Sequence, residues 1–439
     1  MKKMYMRTRL SNWFANCVST MKLKIIFAGI VLLALFSCKD KETGTLDSNV
    51  IDVEHALQNL TSLKVSDFGK TIRYIPLETT DDGLVGMAPI VKVLKNYIVI
   101  EHSSESGSCL LFNKEDGRFI AEIGHYGQDL EAFSSHFSWT DEKEEFLYFG
   151  RHPDQLMKFD MKGNFCGKTK FSSPILSGSY YLITDSEIIV YDGRMVQTSP
   201  HVVRFFNREG LLKDSIPSFF PQTQVIPNEI AAIAVLRGET STSYGNWARA
   251  GAMFIENKNG TRQVNAIGAT RMWKYDEKIR FKEDYVDTIY TVADNALVPS
   301  IVFHTGKYHW PIEEKNKKSD KERIFISDVS EDKDFVFFQC IDRMNSITPD
   351  RLVLYNGLFD KKTGKTKLSK SSDEIEDDLT HFMPFTPFGK STAGEFVSLV
   401  ESWKVMEWLE DHPEALNNEK LSFLKELDAE MNPILILVE

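Results

Sequence analysis

Apolar residues along this chain fall in short runs, close together or alternating, and pairs of runs are split by a tight polar turn containing glycine. The clearest case is LLFNKEDGRFIAEIG, Leu110 to Gly124, where Leu110–Phe112 and Phe119–Ile123 flank Asp116-Gly117. Such spacing suits strands that show one or both faces to a core, and Asp-Gly supplies the positive φ angles of a narrow hairpin turn. The unit returns at Leu156–Phe171 with a turn at Lys162-Gly163, and at Val202–Ile216 with a turn at Glu209-Gly210. Looser copies turn at Asn259-Gly260 and Thr363-Gly364, and a related hairpin turns at Asp294-Asn295.

The turn glycines 117, 163, 210 and 260 lie 46, 47 and 50 residues apart. A period of about 40–50 residues made of strands and turns marks propeller blades, each a four-stranded sheet. Six hairpin cues predict an all-β, six-bladed β-propeller. A β-sandwich is the alternative, and its turns come every ~8–12 residues without a longer period.

Other stretches fill in the elements. Thr71–Glu78 alternates as a strand, and Ile90–Ile100 reads as one apolar strand. From Gly394 to Glu430 the β pattern is interrupted. Phe396, Leu399, Val400, Trp403 and Met406 step by three and four along one helix face. Pro413 ends that helix, and Asn417 or Asn418 can cap a second one through Leu421, Leu424 and Leu427. The short helical insertion therefore spans about 395–430. Ile434–Val438 is a near-continuous apolar run suited to a buried strand. Its expected partner is Thr71–Glu78, a pairing that closes the ring and removes two open sheet edges.

The first 37 residues carry six basic side chains and no acid, and the basic residues are followed by the short apolar run Ile25–Phe36. A basic start and an apolar centre describe a secretory signal. The segment ends Leu35-Phe36-Ser37-Cys38, which resembles the lipobox of bacterial lipoproteins, with a bulkier residue at Phe36 than is usual. The resemblance implies that Cys38 is lipidated and becomes the mature N-terminus. The domain reading is a signal peptide over 1–38 with its start at Met21, a tether over 39–65 that holds a short helix, and a propeller over 66–439. Lys39-Asp40-Lys41-Glu42 resembles the charged surface-export signals of Bacteroidetes lipoproteins, and reads equally well as a solvated tether.

Without the basic leader the net charge falls from −11 to −17. A domain that acidic, with no basic patch, repels phosphate backbones, which excludes nucleic acid as a partner. Cys109, Cys166 and Cys340 are too scattered for a disulfide framework or a zinc site, and read as small buried apolar groups.

YIPLETTDDGLVG, starting at Tyr74, resembles the opening motif of the six-bladed β-propeller lipoproteins of Bacteroidetes, related to NHL-repeat propellers. FKEDYVDTIYTVADNALVPSIVFHTGKYHWP, Phe281 to Pro311, is similar to that family's Asp-Thr-Ile-Tyr blade, and Asn432-Pro433-Ile434-Leu435 to its closing strand. The resemblance covers about 66 to 439 and implies a cell-envelope, outer-membrane lipoprotein, periplasmic or surface-exposed. One departure is the stretch His125–Glu131, where the family often has a Gly- and Pro-rich loop ending in Glu.

Candidate chemistry is sparse. Gly389-Lys390-Ser391-Thr392 lacks the leading glycine of a phosphate-binding loop and reads as a turn. Gly-x-Ser-x-Gly, His-Glu-x-x-His and Cys-x-x-Cys are absent. The acids of 373–378 read as a solvated loop rather than a calcium site. Some NHL-type propellers are metal-dependent lyases with channel histidines, and His102, His152 and His304 are the residues that would have to converge. Tyr244, Trp247, Trp273, Tyr275, Tyr308 and Trp310 gather in the middle of the chain. Exposed Trp and Tyr faces stack on sugar rings, whereas buried ones pack between blades. Tyr244, Trp247, Trp273 and Trp310 are the candidate ligand-binding residues, the first two on a loop.

The expected protein is a lipoprotein with a monomeric propeller that binds a glycan, a peptide or an envelope protein, with no cofactor, no metal and no catalytic residues. The alternative is a metal-dependent lyase or hydrolase with its site in the central channel.

Overall fold

The computed structural model describes residues 49–439 except 87–88, 103–108, 136, 176–178, 192–200, 220–228, 238–250, 268–270 and 347–351. Among the described residues the strands form seven sheets. Six of them follow one plan, in which consecutive strands pair antiparallel from first to last. The first sheet holds Ile90–Val93, Tyr97–Glu101, Cys109–Asn113 and Phe119–Glu122. The second runs from Ser138 to Lys170 and the third from Tyr180 to Pro217. The fourth runs from Met272 to His304 and the fifth from Ile324 to Lys370. The sixth is composite: Gly389–Lys390, Phe396–Val400 and Ile434–Val438 are joined by the N-terminal strand Ile72–Pro76.

The alternation of side chains welds these sheets face to face. In the first, Ile98 and Ile100 point into one apolar cluster while Val99, between them, joins the cluster shared with Phe149 and Phe159 of the second. In the second, Tyr148 turns the other way, toward Ile188 and Val190 of the third. Ile189 and Phe205 of the third meet Met272 and Phe281 of the fourth. Ile289 and Phe303 of the fourth meet Ile326 and Phe338 of the fifth. Phe337 of the fifth, the whole of Ile434–Val438 and Ile98 of the first then share one cluster, so the succession returns to its start. A period of two, applied to sheets covered on both sides, turns each strand into a double-faced adhesive. The architecture is a β-propeller.

The strand Ile72–Pro76 pairs with Ile434–Val438 in antiparallel register, Ile72 opposite Val438 and Pro76 opposite Ile434. This is the closing pair read from the sequence. Ile90–Ile100 is not one strand but two, folded back at 94–96. Phe396–Val400 is a strand of the sixth sheet rather than the start of a helix. Its apolar residues are buried on both faces, which erases the alternation that distinguishes a strand from a helix.

The helix begins only at Ser402 and ends at Asp411, just before Pro413. The second helical stretch, Glu419–Lys425, has 3-10 geometry, with the Asn418 side chain accepting from the Lys420 N–H at 3.0 Å. Both lie against the sixth sheet through Val405, Leu409, Leu421 and Leu424. Tyr74, Phe382, Trp408 and Phe423 interlock their rings there at centroid distances of 5.1–5.9 Å.

Part of the expected tether belongs to the fold. Val50–Asp52 adds as a parallel strand to the outer edge of the fourth sheet, and a short helix, Val53–Gln58, follows it. Ile51, Val53 and Ala56 are buried in the core between the fourth and fifth sheets.

The seventh sheet, Ile230–Arg237, Gly251–Asn257 and Arg262–Ile267, lies between the third and fourth in sequence but not in the ring. Its Phe254 and Val264 pack on Phe325, Ile341 and Leu354, at the far end of the long strands of the fifth sheet. It is a side sheet.

Candidate functional site

Antiparallel sheets with an inner first strand sort their connections by end. The hairpins after the first and third strands leave at one end, and the other connections leave at the opposite end. At the first end the turns are short, and side chains link neighbouring sheets around the ring. The Lys95 N–H donates to Glu144 Oε2 at 2.7 Å, joining the first sheet to the second. Lys143 pairs with Asp185 at 3.0 Å, from second to third. Asn295 donates to Asp214 at 2.8 Å, from fourth to third. Arg280 meets Glu331 at 2.9 Å, from fourth to fifth. Lys390 pairs with Asp332, and Lys114 with Glu395 at 2.5 Å, which completes the circuit. Charges already satisfied by one another leave little to offer a ligand.

The other end carries the long connections. The one between the first and second sheets, at 123–137, is the departure noted above. His125 Nε2 and Asp129 Oδ2 lie 2.5 Å apart, and Asp129 Oδ1 accepts the N–H groups of Glu131 and Ala132 at 3.0 and 3.1 Å. The His125 contact, and then the Glu131 N–H, hold the Asp129 carboxyl below its ordinary range. Arg151, on the second sheet, reaches under the loop to the carbonyl oxygens of Asp129, Gln128 (3.0 Å) and Ala132 (3.1 Å). A loop braced on both sides in this way holds Leu130 out in solvent, 80% exposed, with Phe137 also exposed further along the same connection. Leu84, on the connection from the sixth sheet to the first, is exposed as well. Leaving a leucine in water forgoes about 1.5–3 kcal/mol of burial, a deficit that a partner surface can recover.

Between the fourth and fifth sheets the same end holds a set of buried charges. The segment Lys282–Tyr285 leaves the second strand of the fourth sheet, and Arg271 precedes its first strand. Arg271 Nη2 meets Asp284 Oδ2 at 2.7 Å, and the Ser218 hydroxyl donates to Glu283 Oε1 at 3.2 Å. Lys282 Nζ donates to the Ile326 carbonyl at 2.9 Å, and burial pulls its pKa down to about 8. Asp287 accepts from the Thr305 hydroxyl at 2.7 Å and lies 2.9 Å from His309 Nδ1, whose pKa it raises. Tyr285 sits in the left-handed region at φ 61, a conformation that costs about 1–2 kcal/mol for a non-glycine residue. What holds it is its hydroxyl, bonded to the Val264 carbonyl at 2.7 Å, and a ring set edge-on to Trp310 and Phe325. These groups answer one another. They tie the side sheet and two sheets of the ring together.

The sequence-predicted candidates fall in different places. Trp310 is 3% exposed and packed in the side-sheet core, so it offers no stacking face. Trp273 is half-buried on an inner strand against the core of the fourth and fifth sheets, and Tyr308 packs on the same core. The Tyr275 ring is covered by Lys361 Nζ at 4.3 Å. Tyr244, Trp247 and Cys38 lie outside the described residues.

The three histidines do not converge. His304 is on the outer strand of the fourth sheet, 3.3 Å from Asp52, and His102 accepts the Gly86 N–H at 2.8 Å, on the first sheet. Among the described residues no three His, Cys, Asp or Glu side chains group as metal ligands. Cys109 and Cys340 are buried and Cys166 is exposed. The acidic run is not wholly solvated: Asp377 is buried and accepts the N–H groups of Leu379, Thr380 and Phe382, while Asp378 accepts from Ser66. An open cleft of about 800 Å³ between the side sheet and the 312–318 connection is lined by polar residues such as Asn259, Gln263 and Asn316, with no aromatic wall.

The sequence reading does not single out Leu130. In the sequence it is only a leucine between two acids in a polar stretch, and the clamp that makes its loop rigid comes from an arginine about twenty residues on.

Known proteins extend this picture. Among solved structures, one described as an exported protein of Bacteroides fragilis NCTC 9343 is 16% identical with a TM-score of 0.57, covering 89% of this chain and 99% of that one. The WD40 repeats of RRP9 are 11% identical with a TM-score of 0.38, covering 87% of this chain and 99% of that one. BamB from Moraxella catarrhalis is 13% identical with a TM-score of 0.30, covering 75% of this chain and 74% of that one. At such identities the first likeness is one of fold. No curated protein matches. The family described as Domain of unknown function (DUF4934) matches residues 48–439, and the chain belongs to it.

Proposed function

We propose that the chain is a cell-envelope lipoprotein of the outer membrane, anchored through Cys38, whose six-bladed propeller is a binding or scaffolding module for a peptide or another envelope protein. The observation that carries the reading is Leu130, 80% exposed on a loop that Arg151 clamps. A mobile leucine could fold away; this one is held out, as an anchor for an apolar pocket on a partner. The ring supplies rigidity on the opposite side, where charges are paired between sheets. Similarity to an exported protein supports the envelope address. Attachment is assigned to a lipid on Cys38 because Leu35-Phe36-Ser37-Cys38 resembles a lipobox.

A glycan is the second ligand class. It rests on Tyr244 and Trp247, because Trp310 is buried. The test is a photo-crosslinking amino acid placed at position 130 or at Lys333, on a short turn of the opposite end, in living cells. A discrete protein adduct from 130 and none from 333 is the expected result. No adduct from either position, together with a melting-temperature rise on adding oligosaccharides that is lost in Trp247→Ala, overturns the protein-partner reading in favour of the glycan.

A further inference from the structure

Sheet edges invite other strands, because each leaves a row of backbone donors and acceptors unpaired. The outer edges of the ring are all defended. Phe165–Lys170 carries Lys168 and Lys170, and Lys365–Lys370 carries three lysines. Leu212–Pro217 carries Lys213, Asp214 and Pro217, and Ile72–Pro76 carries Arg73 and Pro76. Phe119–Glu122 is only four residues long. Ala296–His304 is broken by Pro299 and covered at Val302–His304 by Val50–Asp52.

One edge has none of these devices. Ile230–Arg237, IAAIAVLR, is the edge strand of the side sheet, paired among the described residues on one side only, with Gly251–Asn257. Residues 231–235 are all exposed, Ile233 at 56% and Val235 at 47%. Its one irregularity is a bulge at Ile230/Ala232, so Ala232–Arg237 is regular. Within the strand there is no Pro and no Lys, and the single charge is at the last residue.

We propose that Ile230–Arg237 docks against the same strand of a second copy of this chain, antiparallel, so that two three-stranded side sheets become one six-stranded sheet. The ends select the orientation. In antiparallel register position 229 of one strand, an acid, falls opposite position 237 of the other, a base, and does so twice. Parallel pairing would set like charges side by side. The centre of the pair is apolar, with Ile233 and Val235 of each copy meeting across the junction. A two-fold contact of this kind closes on itself and does not propagate into a fibre. The proposal replaces the monomer expected from the sequence.

The test is sedimentation equilibrium of the chain from residue 39, which keeps the whole compact unit Asn49–Glu439. The expected result is a dimer that dissociates on dilution. Ile233→Lys, which places two like charges near the two-fold axis, should raise the dissociation constant about tenfold or more with an unchanged melting temperature of the monomer. Glu229→Arg alone should weaken the dimer, and Glu229→Arg with Arg237→Glu should restore it. A monomer at every concentration overturns the proposal, as does a dimer indifferent to Ile233→Lys. In a monomer, slow exchange of the outward-facing amides of 232–236, those not bonded to Gly251–Asn257, would also overturn it, showing that the chain's own neighbouring segments cover the edge.

Discussion

Gly117 turns the first-sheet hairpin at φ 74, and a side chain there would run into the Pro76 carbonyl oxygen on the outer strand of the sixth sheet. Gly163 and Gly210 stand in the same relation to Glu122 and Lys170, each the last residue of the preceding sheet's outer strand. The regular spacing of these glycines in the sequence thus records a packing contact as well as a turn. Gly260 has the same backbone, φ 78, but a methyl group there would meet nothing within 4 Å, since its hairpin is in the side sheet. Gly117→Ala should therefore cost clearly more stability than Gly260→Ala, which should lose only the left-handed strain of about 1–2 kcal/mol. Urea unfolding of the two variants checks this, and equal losses would refute the contact.

At Lys282 the prediction concerns pH. Its folded-state pKa is near 8 against an ordinary 10.5, so between those values the unfolded chain holds the extra proton and stability rises with pH. Relative to Lys282→Met, the wild type should be flat below about pH 8. It should then gain up to pH ~10.5 by an amount on the order of 3 kcal/mol at most. Parallel stability curves would refute it. Neither burial nor the Ile326 carbonyl could be read from the sequence around Lys282, because both come from the fifth sheet.

At the scale of elements, the hairpins were legible because each turn carries its own local chemistry. All six cued turns exist, at Gly117, Gly163, Gly210, Gly260, Gly364 and Asp294-Asn295. Their count hid a substitution of roles. The Asn259-Gly260 hairpin belongs to the side sheet, while the sixth sheet of the ring has no such cue and is assembled from both ends of the chain. Which sheet lies beside which is decided by long-range packing, and a spacing of 50 residues between Gly210 and Gly260 imitates the ring period without belonging to it. The closing strand was readable because Ile434–Val438 is apolar at every position. All five residues are buried. Ending the chain at Asn432 should leave Ile72–Pro76 and Phe396–Val400 without their shared partner. The expected outcome is an aggregating product with no cooperative melting transition; a soluble, cooperatively melting fragment would refute the closure.

For the whole molecule, the polar links between sheets and the clusters behind them run around the same ring, so the end with short turns is stiff and the end with long connections is free to vary. Those long connections are also the stretches in which apolar and polar positions follow no period. The strand Val50–Asp52 adds a constraint of its own. Because it is part of the fourth sheet, with Ile51 in the core behind it, anything that pulls on the chain ahead of residue 50 loads the propeller at that sheet directly, and not through slack at 50–65.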